Sequence, residues 1–134
     1  MLKYILIVLA LFPTILFAGA KELHKLVQLK AAEYSVSAPL MEKMITCESK
    51  WDTTIQSKHL YQYNKKRLGI VKGTRERSFG LVQINIDWNP QVTEKQAKDP
   101  VFAVDYLAKK LKQGKGDEWS CFPQPMKQIK PVSK

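Results

Sequence analysis

A chain of 134 residues holds one hydrophobic core but not two, so the unit to explain is a single site on a single domain. Its 22 lysines and arginines against 12 aspartates and glutamates give a formal charge of +10, a balance that favours polyanions such as anionic wall polymers, acidic membrane surfaces or nucleic acid. Two cysteines, Cys47 and Cys121, and two histidines, His24 and His59, stand at unrelated spacings that make no metal site, and no cofactor is expected.

The opening stretch "MLKYILIVLALFPTILFAGA" places Lys3 before an apolar run from Tyr4 to Phe17 and the small residues Ala18, Gly19 and Ala20, the layout of a secretory signal cleaved after Ala20. The competing reading is an uncleaved anchor, but the run falls short of the ~20 apolar residues a span needs, and Pro13 interrupts it. No cysteine stands at its end, which argues against lipid attachment. Loss of the signal removes only Lys3 from the charge balance. The protein is therefore expected to be exported, to the periplasm, cell wall or extracellular space. In an exported chain Cys47 and Cys121 read as one disulfide, with unpaired thiols as the alternative. Such a bridge closes a long loop and contributes about 4 kcal/mol on a chain-entropy account.

From Lys21 to about Val36, Leu23, Leu26, Val27, Ala31 and Tyr34 recur at helical spacing, an amphipathic helix suited to packing on the core. "SAPL" at residues 37–40 then supplies a capping serine and an early proline, predicting a second helix from about Pro39 to Lys50. On that helix Leu40, Met41, Met44, Ile45 and Glu48 share a stripe, which puts a carboxylate on the apolar face.

Residues 58–77, "KHLYQYNKKRLGIVKGTRER", are polar and basic, with Gly69 and Gly73 as turn formers and Ile70–Val71 as a short strand-like piece; a loop with a small hairpin is expected. "SFGLVQINI" follows as a compact apolar segment that ends at Trp88-Asn89-Pro90. "TEKQ" at residues 93–96 has the form of a capping box for a short helix. A longer helix is predicted from Asp99-Pro100, carrying Ala103, Val104, Leu107, Ala108 and Leu111 inward and ending before Gly114. Beyond it Trp119 and Cys121 are expected to pack inward. The chain thus divides into a signal over 1–20, a domain over 21–122 and a loose basic tail over 123–134. With no internal repeats and no set of strands large enough for a main sheet, the class is mostly α.

A carboxylate on an apolar helical face is costly, because desolvation disfavours its charged form, so its pKa should rise. A raised pKa keeps the proton on near neutral pH, as a general acid that protonates a leaving oxygen requires. The alternative is that Glu48, close to the helix end, turns to solvent or pairs with a lysine.

"ESKWDTTIQS" followed by "SFGLVQIN" resembles the two-part signature of soluble lytic transglycosylases and the wider lysozyme-like superfamily. There a Glu-Ser pair, an aromatic and a serine nine residues after the acid precede a Gly-Leu-hydrophobic-Gln-Ile block. The match falls on Glu48, Ser49, Trp51, Ser57, Gly80, Leu81, Gln83 and Ile84, and "DPVFAVDYLAKKL", with its Tyr106-Leu107 pair, extends it more weakly to Leu111. The resemblance implies an α+β lysozyme-like fold, a compact helical domain with a small irregular or hairpin region flanking an active-site cleft. It implies peptidoglycan glycan strands as substrate, with Glu48 as general acid and then base, and a monomeric enzyme.

By the same resemblance Ser57, Gln83 and Asn85 supply polar contacts near the reacting sugar, and Gly80 leaves room for close backbone approach. Ser57 as an ordinary loop hydroxyl and Gln83 as a tie to the core are the competing roles. Trp51 occupies the family's aromatic position, which suits core packing before sugar stacking. The disulfide would tie the catalytic helix, through Cys47, to Cys121.

Two departures stand out. The basic segment 58–77 is longer than the family's link and reads either as a lip that grips anionic wall material or as a solvated loop. The family's late Tyr-Asn pair is missing, with "DEWSCF" in its place. A hydrolytic muramidase is the runner-up, since lysozymes share Gly-x-x-Gln-Ile-Asn and need a second carboxylate. In animal-type lysozymes that acid precedes the glycine by two residues, where this chain has Ser78. Glu76 would share a strand face with Ser78, about 7 Å along, and Asp52 is the other carboxylate at hand, better placed to cap the next turn. Two further readings are a non-catalytic cationic wall-binding protein and a nucleic-acid binder using Tyr61, Tyr63, Lys65, Lys66 and Arg67. The second is disfavoured because an exported chain seldom meets nucleic acid.

Overall fold

The computed structural model describes residues 19–123; the expected signal segment up to residue 18 and the tail from residue 124 lie outside the described residues. Helix α1 spans Ala20–Tyr34 and turns Leu23, Leu26, Val27 and Ala31 into the core. It stops short of the expected Val36 because Ser35 adopts a left-handed conformation (φ 55°), and the Ser35 and Val36 amides close back on Ala32 and Ala31. Helix α2, Ala38–Ser49, starts as its sequence dictates: Ser37 Oγ accepts from the Leu40 amide at 3.2 Å, and Pro39 sits in the first turn. It ends where Lys50 turns left-handed.

Strand β1 (Ser78–Phe79) pairs antiparallel with β2 (Ile84–Asn85), Ser78 opposite Asn85 and Phe79 opposite Ile84. Residues 55–57 extend this ribbon on the far side of β1: the Ser57 amide donates to Ser78 O and the Gly80 amide to Ile55 O, both at 2.8 Å. The turn between β1 and β2 is buried, with Leu81 and Val82 in the core. Segment 58–77 forms the small hairpin, bridged at Leu60–Arg75 and Lys65–Ile70 and reversed by a 3₁₀ turn at Lys66–Leu68 and Gly69 (φ 69°). Ile70 is buried, whereas Val71 is exposed.

Helix α3, Glu94–Lys98, carries the capping box in full: Thr93 Oγ1 accepts from the Gln96 amide at 3.1 Å and Gln96 Oε1 from the Thr93 amide at 3.0 Å. Helix α4, Pro100–Lys112, is capped by Asp99 and buries Ala103, Val104, Leu107 and Ala108, with Leu111 at the margin of the core. Packing of α1 on α2 and α4, and of α3 on α4 and β1, brings these faces into one core. Among the described residues the protein is therefore mostly α, four helices with one two-stranded sheet, and no helix is long and apolar enough to cross a membrane. Cys47 and Cys121 form a disulfide with Cα atoms 5.9 Å apart, tying the end of α2 to the last described segment across a separation of 74 residues.

Candidate active site

The buried stripe of α2 runs Met41, Met44, Ile45 and Ser49 rather than ending on Glu48. Ser49 is buried because its hydroxyl is satisfied on both sides, donating to Ile45 O and accepting from the Trp51 amide, each at 3.2 Å. One residue earlier on the helix is a rotation of about 100°. Glu48 therefore stands at the margin of the core stripe, half-buried, and lines a cleft of about 950 Å³.

The cleft is walled by the end of α2, the 55–59 segment, Glu76 and Ser78, residues 83–85, Trp88 and Asn89, the Tyr106 and Lys110 face of α4, and residues 118–121. Burial raises the pKa of Glu48; the nearby negative charge of Glu76 pushes the same way, against the Cys121 amide and His59, which favour the ionised form. The negative end of the α2 dipole adds to the rise. The Cys121 amide donates to Oε1 at 3.2 Å, which leaves Oε2 to carry the acid proton.

Of the other sequence-derived candidates, Ser57, Glu76, Gln83, Asn85 and Cys121 line this cleft with Glu48. Ser57 Oγ is 3.5 Å from Glu76 Oε2 and accepts from the His59 amide at 3.1 Å. Gln83 Nε2 donates to Ile55 O and Gly80 O, so its amide nitrogen holds the ribbon together and its carbonyl end is the group left for a ligand. Asn85 donates through Nδ2 to the Tyr61 hydroxyl at 2.9 Å and accepts through Oδ1 from the Asp87 and Trp88 amides, which makes it a scaffold for the cleft wall.

Three other candidates lie outside the cleft lining, Trp51 and Asp52 in the packing and capping roles that the sequence favours. Gly80 does not line the cleft: its φ is +76°, and a Cβ there would collide with the Ala97 carbonyl, so the glycine serves the packing of β1 against α3. Trp51 also lies outside the cleft lining; its ring lies tilted against His24, centroids 3.8 Å apart, and its Nε1–H donates to Thr46. Asp52 caps the turn after α2, accepting from the Thr54 amide at 2.9 Å and the Thr54 hydroxyl at 3.0 Å, bonds that hold its carboxyl below the usual range. It does not reach the cleft lining.

Sequence reasoning left Tyr106 and Lys110 without a role at the cleft, whereas Trp119 packs inward as expected. Tyr106 donates to Asn89 Oδ1 at 2.7 Å, its ring meets Trp119 edge-on at 6.1 Å, and burial raises its pKa. Lys110 lies 5.5 Å over the Tyr106 ring and pairs with Glu118 at 2.8 Å. Trp119 is buried and donates to Val82 O at 2.7 Å, so part of "DEWSCF" forms a wall and holds the buried turn. The available signal was the spacing Phe102, Tyr106, Lys110, every fourth residue beside the apolar stripe of α4. No family model, curated protein or solved structure matches the chain. Among the described residues no three His, Cys, Asp or Glu side chains converge as metal ligands.

Proposed function

We propose that the chain acts outside the cytoplasm on peptidoglycan as a lytic transglycosylase of lysozyme-like architecture. The bond cleaved is the β-1,4 link between N-acetylmuramoyl and N-acetylglucosaminyl units. The observation that supports this most is Glu48: one carboxyl group, desolvated and held by a backbone amide, facing a cleft lined by polar and aromatic side chains. Protonated Glu48 delivers its proton to the glycosidic oxygen as the bond to the anomeric carbon breaks. The resulting carboxylate takes the proton of the muramoyl 6-hydroxyl while that oxygen closes on the anomeric carbon. A 1,6-anhydro end forms and Glu48 is again protonated. One acid suffices because the sugar supplies the nucleophile, and a closure within one sugar unit is already unimolecular.

Glu76 favours a second reading, a hydrolytic muramidase, because it lines the same cleft and its charge acts on Glu48. Water would then attack the anomeric carbon with Glu76 as the second carboxylate. Digestion of purified peptidoglycan in isotopically labelled water, followed by mass spectrometry, separates these. Anhydro ends without label support the transglycosylase and labelled reducing ends the hydrolase. Release of no fragments defeats both and leaves a cationic wall-binding protein.

A further inference from the structure

The 58–77 hairpin carries one carboxylate, Glu76, against seven lysines and arginines. Two of those cations are engaged: Arg75 donates to the Ser57 and Gln56 carbonyls, and Arg77 pairs with Asp87 at 2.9 Å. At the tip, Lys65, Lys66, Arg67 and Lys72 are exposed and take part in no ion pair among the described residues. Exposed carbon lies among them. Val71 keeps 55% of its surface although its neighbour Ile70 is buried, and beside the tip Trp88 keeps 45% and Tyr63 44%. The Trp88 Nε1–H donates to the Tyr63 hydroxyl at 3.0 Å, and Lys65 Nζ is 5.2 Å from the Trp88 ring, so charge and aromatic carbon share one face.

The tip is built with its backbone satisfied. Lys65 and Ile70 exchange two hydrogen bonds, the Leu68 and Gly69 amides close the 3₁₀ turn, and the Lys72 amide donates to Asn64 Oδ1 at 2.8 Å. Such a turn can approach a medium poor in water without stranding these amides. Tyr61, buried and bonded to Asp87, fixes the hairpin to the domain. A surface ordered before its partner arrives spends little binding energy on its own ordering.

We propose that the tip of this hairpin is a docking surface for a bilayer rich in anionic phospholipid, Val71 and the Tyr63–Trp88 pair entering the boundary of the acyl region while Lys65, Lys66, Arg67 and Lys72 meet lipid phosphates. A soluble polyanion gains nothing from exposed valine and indole, whereas a bilayer surface takes up both carbon and cations. The long lysine and arginine stems lie along apolar groups and keep their charges at the headgroups. The base of the same hairpin walls the cleft through His59 and Glu76, whose backbones are bonded at 2.9 Å. Docking through the tip therefore holds the Glu48 cleft beside the membrane.

Cosedimentation with vesicles of phosphatidylcholine, alone or mixed with phosphatidylglycerol, tests this, with soluble polyglutamate as a polyanion that has no bilayer. The protein should bind the mixed vesicles and not phosphatidylcholine alone. The triple variant Lys65→Gln, Lys66→Gln, Arg67→Gln should bind them about a hundredfold more weakly, roughly fivefold for each cation. A matched triple elsewhere on the surface, Lys25→Gln, Lys95→Gln, Lys112→Gln, loses the same charge and should lose far less affinity. Val71→Ser keeps every charge, and should weaken vesicle binding about fivefold while leaving polyglutamate binding unchanged. All the replaced side chains are exposed, and circular dichroism melts verify that the variants fold. No binding to the mixed vesicles, equal losses in the two triples, or full vesicle affinity in Val71→Ser overturns the proposal. Glu48→Gln should bind vesicles as wild type does, so either outcome leaves the cleavage reading to its own test.

Discussion

The backbone amide of Cys121 donates to the carboxyl of Glu48 at 3.2 Å, and the side chain of the same cysteine is bonded to Cys47, the residue before the acid. The covalent link and the hydrogen bond therefore act on one turn of α2 from one direction. The bridge restrains the distance, and the amide orients the acid toward the cleft.

Replacing Glu48 by Gln should abolish cleavage while keeping the fold, since Gln retains an oxygen for the Cys121 amide but has no proton to give. The expected fall in rate is about 10²–10⁴-fold, the usual contribution of general acid–base catalysis. Muropeptide release measured beside circular dichroism checks it, and a variant as active as wild type removes Glu48 from the mechanism.

The raised pKa of Glu48 has a sign for stability as well as for rate. Below the ordinary carboxylate range the group is protonated in both the folded and the unfolded chain and shifts nothing. As pH rises through the folded value, the folded protein must ionise a desolvated group and loses stability relative to Glu48→Gln. The variant should therefore melt higher than wild type at pH 7, with the gap closing below about pH 4. Cleavage should fall across the same alkaline limb, because the acid must start protonated.

Asp52 behaves in the opposite sense. Its bonds to Thr54 hold its pKa down, so its contribution is present above the ordinary aspartate value and fades as the pH falls through the folded one. Asp52→Ala is expected to leave turnover unchanged and to lower the melting temperature at neutral pH, with the difference shrinking in acid. Loss of cleavage with the fold intact would return Asp52 to the list of second carboxylates.

Removing the disulfide by a Cys47→Ser, Cys121→Ser double substitution should cost about 4 kcal/mol, from a closed loop of this length. Denaturant titration reads that loss directly. Cleavage should fall further than the unfolded fraction accounts for, because the amide that orients Glu48 belongs to the released segment.

Gly80→Ala should destabilise the protein by about 2–4 kcal/mol, combining a positive φ with a collision against helix backbone that cannot move aside. The same substitution at Gly69, where a Cβ meets nothing within 4 Å, carries only the conformational cost. Thermal melts of the two variants side by side separate the effects.

What could be seen in the sequence was mainly what short-range chemistry dictates. Ser37, Thr93 and Asp99 each cap a helix within three residues of themselves, and the stripe of α4 follows from its own period. With only two cysteines there was one possible pairing, so even a contact across 74 residues was legible. The roles of Gly80 and Tyr106 were not, because each depends on a partner distant in sequence: Ala97 and Asn89. Glu48 lies between these cases. Its helix register was readable, while the one-residue step that moves it from the stripe to the cleft follows from Ser49 taking the buried place.

The contact between residues 48 and 121 also has a bearing on time. A chain synthesised from its N-terminus presents α2 long before Trp119 and Cys121 exist, and during that interval Glu48 is an ordinary hydrated carboxylate. Its hydrogen bond from the Cys121 amide, and the part of the cleft wall made by residues 118–121, appear only when the last segment docks. The acid proposed for cleavage is thus set in place by completion of the fold, and a truncated or half-folded chain carries the residue without that setting.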